Sequence, residues 1–174
     1  MMSIKKYMSV IALAAFITAC NNTKTSTHTE KETVQQTTVA LKDEKLKNIY
    51  TAYLKLKDDL VKSNAEDAKN AALVLSKELT NFNGCENAAQ IATSINSSTD
   101  LKEQRKQFTA LNIELIPMFK HAELTAGTIY VQHCPMANNG DGGDWLSSEK
   151  KIQNPYYGDE MLECGAVTEE IKTK

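Results

Sequence analysis

Two short runs near the end of the chain carry the residues best suited to chemistry: His133-Cys134-Pro135-Met136 and Met161-Leu162-Glu163-Cys164-Gly165. They place two thiols, two thioethers and an imidazole at the ends of one 32-residue segment. Thiolate and thioether sulfur are soft ligands that select monovalent copper and similar ions. Met argues against zinc, which takes nitrogen, oxygen and thiolate ligands. If the segment folds back on itself, Cys134, Met136, Met161 and Cys164 can share one Cu(I) or Ag(I) ion, with His133 a weaker candidate. Met118 and His121, three residues apart, could add ligands, although a Met on an apolar stripe is more often core and a His at a helix end more often a dipole partner.

A catalytic reading has little support. The chain has no Gly-x-Ser-x-Gly, no His-Glu-x-x-His and no phosphate-cradling glycine loop followed by Lys-Ser/Thr. Cys134 with His133 makes a poor nucleophile pair, because neighbours on a strand point to opposite faces. The expectation is a protein that is not an enzyme. The run 138–144 is rich in Asn, Asp and Gly but offers no frame with calcium-loop spacing, so it reads as a plain loop.

The other end of the chain suggests where this chemistry would operate. Lys5 and Lys6 precede a short apolar stretch, Val10 to Ala19, which is too short to cross a bilayer and reads as a signal h-region. Ile17-Thr18-Ala19-Cys20 resembles the lipobox of bacterial lipoproteins. That resemblance implies cleavage before Cys20 and lipidation of its thiol and amine. Acyl chains would hold the protein at a membrane without spanning it. The expected location is the cell envelope, most simply the periplasmic side of a Gram-negative outer membrane. Removing residues 1–19 takes away Lys5 and Lys6 and no acid, moving the formal charge from −2 to −4. A mildly acidic chain with no basic stripe argues against nucleic acid as a partner.

An oxidising envelope also favours disulfides. A Cys134–Cys164 bond closes about 30 residues and would stabilise by roughly 3–4 kcal/mol in the loop-entropy model. Met136 and Met161 would then be core filler. Spacing alone does not decide between metal site and disulfide, and reversible switching between the two is also open. With Cys20 lipidated, three cysteines remain, so Cys85 reads as a free, partly buried thiol.

The elements that must position these residues follow from pattern. Residues 20–40 are polar and Thr-rich and read as a disordered tether. Residues 41–174 suffice for one domain. Leu46, Ile49, Tyr53, Leu56 and Leu60 recur at helical spacing. Ser63 or Asn64 caps a second, Ala-rich helix that Asn83-Gly84 ends. A third helix spans about 86–96. A fourth starts at Ser98 or Thr99 and meets Pro117, which should kink or break it. Short connections favour an up-and-down bundle of about four helices. Thr128 to Gln132 reads as a strand delivering His133 and Cys134, and Ala166 to Ile171 as its partner, a short hairpin-like pair that would bring Cys164 near Cys134. Trp145, Tyr156 and Tyr157 read as packing over the bundle.

The string from Tyr130 to Ala137, then Trp145-Leu146-Ser147, Ile152 to Gly158, Met161-Leu162 and Cys164-Gly165, resembles an uncharacterised helical domain of Gram-negative envelope proteins. That domain also occurs in periplasmic adaptor subunits of copper/silver cation efflux systems. The resemblance covers about residues 43–172. It implies a helical domain and, through that company, metal handling with cation efflux components as partners. It departs from the short heavy-metal segments of those systems in having one Cys per half rather than a Cys-x-x-Cys. The competing expectation is a non-catalytic domain that docks on an envelope complex.

Overall fold

The computed structural model describes residues 38–174. The expected signal peptide, Cys20 and the tether before residue 38 lie outside the described residues. After a two-residue strand come four helices, α1 (Glu44–Val61), α2 (Ala65–Thr80), α3 (Glu86–Asn96) and α4 (Leu101–Lys120), and further strands lie in the remainder. The fold is a mainly-α bundle with a C-terminal β element. Among the described residues no helix is long and apolar enough to cross a membrane.

The helix ends are set by side chains that satisfy otherwise orphaned backbone N–H groups. Asp43 caps α1 by accepting from Lys45 and Leu46 N–H. Asn64 caps α2 by accepting from Asp67 N–H. The fourth helix is capped by Asp100, not by Ser98 or Thr99 as the sequence suggested. Ser98 Oγ instead accepts from Asp100 N–H at 3.0 Å and so orients the cap. The second helix stops at Thr80, three residues before Asn83-Gly84. Pro117 does not end α4, which runs on to Lys120. The carbonyl that the proline ring leaves without a helical donor belongs to Ile113, a strongly exposed residue.

Cross-helix contacts show that α2 runs antiparallel to α3, and α3 to α4. Ser76 meets Ala89 and Thr93, while Asn96 reaches back to Lys69. Cys85 meets Met118 and Asn87 meets Glu114. Tyr50 packs on Phe119 and Tyr53 on Phe108, closing α1 against α4. The Ala positions of α2 and α3, among them Ala68, Ala72, Ala88 and Ala92, are buried. Their small side chains let these helices approach closely.

The strands are more extensive than the sequence suggested. β1 (Ala40–Leu41) pairs antiparallel with β2 (Leu124–Ala126), so ordered chain reaches back into the stretch read as tether. β3 (Thr128–Cys134), β4 (Gly143–Ser147) and β5 (Ala166–Lys172) form one antiparallel sheet in the order β4-β3-β5. The expected two-stranded pair is therefore three-stranded, with the His133-Cys134 strand in the centre. β4 takes up Gly143 and Asp144, the end of the run read as loop. Trp145-Leu146-Ser147 is short and lacks period-2 alternation, so it did not signal a strand by itself.

Candidate functional site

Cys134 and Cys164 come together. Their Sγ atoms stand 2.8 Å apart, and both are free thiols. That separation is shorter than ordinary sulfur contact and longer than the bond of about 2.05 Å in a disulfide. Cys134 is the last residue of β3, directly opposite Gly143 of β4, and is fully buried. Cys164 lies two residues before β5 and is only partly buried.

The segment that carries Cys164 is held by its own polar contacts. Buried Asn154 donates from Nδ2 to the Cys164 carbonyl at 2.9 Å. Its Oδ1 accepts from Tyr156 N–H, and its backbone N–H donates to the Leu162 carbonyl. Cys164 N–H donates to the Met161 carbonyl. At Gly165 a side chain is excluded, because φ is +139° and a Cβ would stand 2.7 Å from the His133 carbonyl oxygen. This close approach sets the last turn before β5 against the end of β3.

The hydrogen bond with the Cys134 thiol pushes the Cys164 thiol pKa up, with smaller help from burial. The Met136 backbone N–H, directed at the Cys164 sulfur, opposes this. Met136 is thus tied to the pair through its backbone, while its side chain is exposed. Its carbonyl accepts from the Tyr157 hydroxyl. Met161 is partly exposed, one turn before Cys164.

His133 is not brought to the pair. Strand alternation turns it to the opposite face of β3 from Cys134. Its Nδ1 lies 2.8 Å from Asp144 Oδ1, the residue opposite it on β4. Both line an open cleft of about 1350 Å³ beside α4, shared with Thr109, Asn138 and Tyr157. Met118 and His121 do not join the thiol pair either: the Met118 sulfur contacts Cys85 Sγ at 3.6 Å, and His121 is the exposed C-cap of α4. Burial raises the pKa of Cys85, with Glu86 and Glu114 adding to the effect. Among the described residues no group of three or more His, Cys, Asp or Glu side chains is placed to hold a metal ion. A metal at the thiol pair would need thioether or external ligands to complete its shell.

Sequence reasoning missed the polar network that docks the sheet on the bundle. The Tyr53 hydroxyl donates to Asn112 Oδ1 at 2.6 Å and accepts from Leu146 N–H at 2.9 Å. Asn112 Nδ2 donates to the Phe108 carbonyl and to the Tyr156 hydroxyl, which itself donates to the Asp144 carbonyl. Tyr156 also packs on Phe108 and Trp145, as its reading as packing requires. Arg105 adds a second tie, donating to the carbonyls of Pro155 and Leu60 and to Ser63 Oγ. The only sequence signal for the network was Asn112 interrupting the apolar stripe of α4.

Residues 49–127 match the family described as "Protein of unknown function (DUF3347)". The match supports an uncharacterised domain family. It covers the helices from within α1 and ends just before β3, so it stops short of both cysteines of the pair. No curated protein and no solved structure matches the chain significantly.

Proposed function

We propose that this chain is an envelope lipoprotein that binds a soft monovalent ion, Cu(I) or Ag(I), as a buffer, chaperone or efflux accessory. The observation that supports it is the meeting of Cys134 and Cys164 at 2.8 Å from opposite ends of a 32-residue segment. The two thiolates are the principal ligands, and Met136 and Met161 are the thioethers near enough in sequence to join them. His133, held by Asp144, is left out of the first set. Cys20 supplies the anchor, with cation efflux components as the partners in view.

One observation favours a second reading. Two thiolates on one metal stand about 3.8 Å apart at tetrahedral geometry, given metal–sulfur bonds of about 2.3 Å. The pair must open by about 1 Å to admit an ion, whereas a smaller approach forms a disulfide. In that reading the domain is a non-catalytic interaction module stapled by Cys134–Cys164.

Anaerobic titration of the reduced chain, carrying Cys20→Ala, with Cu(I) against a competing chelator separates the two. The expected result is one-to-one binding that is lost in Cys134→Ser and weakened in Met136→Leu. Failure to compete with the chelator, together with a Cys134–Cys164 bond in protein isolated from the envelope, would leave the interaction module.

A further inference from the structure

We infer that Cys134 and Cys164 form a reversible dithiol–disulfide couple, with Cys164 the exchanging thiol and Cys134 its buried partner. The inference concerns the regulation of the site described above, but its redox step needs no metal.

Three features carry it. First, the two sulfurs stand 2.8 Å apart, so making or breaking a bond of about 2.05 Å takes a shift of less than about 1 Å. Second, neither residue needs the bond to hold its place. Cys134 is fixed within the β4-β3-β5 sheet, and Cys164 by Asn154, by the Met161 carbonyl and by the close approach at Gly165. These backbone bonds remain when the sulfurs part. Third, the two thiols differ in access: Cys134 is fully buried, whereas Cys164 reaches the surface.

The step is thiol–disulfide exchange with a small or protein disulfide as oxidant. Cys164, as thiolate, attacks one sulfur of the oxidant. The oxidant's S–S bond breaks, and the first thiolate leaves with the bonding electron pair. Cys134 then gives up its proton and attacks the Cys164 sulfur of the mixed disulfide, expelling the second thiolate. Two protein thiols have become one disulfide, the oxidant disulfide has become two thiols, and the two protein protons end on the departing thiolates. A disulfide has no thiolate to offer a metal, so oxidation would discharge an ion held at the pair and reduction would restore the site.

The test uses the full chain with Cys20→Ala and Cys85→Ser, leaving Cys134 and Cys164 as its thiols. It is equilibrated without metal in a series of glutathione redox buffers, acid-quenched, alkylated and weighed by mass spectrometry. The expected result is one two-electron transition, reached from both the oxidised and the reduced side. Cys134→Ser should trap a glutathione adduct at Cys164, and Cys164→Ser should leave Cys134 largely unmodified. Far-ultraviolet circular dichroism should match in the two states, while fluorescence of Trp145, the sole tryptophan, should change. A pair that stays oxidised in the most reducing buffer, stays reduced in the most oxidising one, or traps glutathione at Cys134 overturns the inference. If Cys85→Ser does not fold, the same series on the protein that keeps Cys85, with alkylated sites mapped by peptide, tests the same outcomes. The glutathione-free Cu(I) titration described above reads the metal proposal separately, and its failure leaves the couple standing.

Discussion

Cys164 is the residue whose behaviour is most open to direct measurement. Its pKa is raised first by the hydrogen bond with the Cys134 thiol, so its thiolate forms at higher pH than that of an ordinary cysteine near 8.5. Alkylation of Cys164 by iodoacetamide should therefore show a midpoint on the alkaline side of a free-cysteine control. In Cys134→Ala the principal cause is gone, and the midpoint should move down toward the control. An unchanged profile would mean that the two thiols do not interact in solution. The residue types of this pair, and their placement at the two ends of one segment, were legible in the sequence. The alternation of β3 also implied that His133 turns away from Cys134, but its partner Asp144 lay in a run that read as loop.

At the scale of elements, helix starts turn on which oxygen reaches the first free N–H groups. Ser98, Thr99 and Asp100 are all plausible caps by type. Only Asp100 Oδ1 accepts from the first turn, at 2.9 Å from Lys102 N–H. Asp100→Ala should cost about 1 kcal/mol of stability in urea unfolding, whereas exposed Thr99→Ala should fall within about 0.5 kcal/mol of the wild type. Equal costs would return the cap to the earlier residues. The four helices were legible because their apolar positions recur at a clear period over 11 to 20 residues. β4 was hidden: it has five residues, begins in a glycine-rich run and takes its strand character from pairing with β3.

At the scale of the molecule, the sheet and the bundle are joined through buried tyrosines. Burial is the main reason that the pKa values of Tyr50, Tyr53 and Tyr156 are raised above the ordinary tyrosine value. Unfolded tyrosines ionise near pH 10. Above that pH the unfolded chain holds fewer protons than the folded one, so stability falls as pH rises. The slope approaches about 1.4 kcal/mol per pH unit for each tyrosine that stays protonated in the fold. Urea midpoints should drop steeply above about pH 10, and less steeply in Tyr156→Phe. A flat profile to about pH 11 would show that these hydroxyls do not remain protonated and buried. Phe108→Ala, at the point where Tyr53 and Tyr156 both pack, should cost about 3–5 kcal/mol by the same kind of unfolding measurement.

Local information settled the number and order of the helices, the strand that carries Cys134 and the soft-ligand character of its end. These depend on side-chain period and residue type, which are properties of neighbours in the chain. The 2.8 Å meeting of Cys134 with Cys164, the pairing of His133 with Asp144 and the Tyr53–Asn112–Tyr156 network were decided by tertiary structure. They join residues 11 to 59 positions apart: the first two follow from strand register within the sheet, and the third from buried hydrogen bonds made as the sheet docks on the bundle.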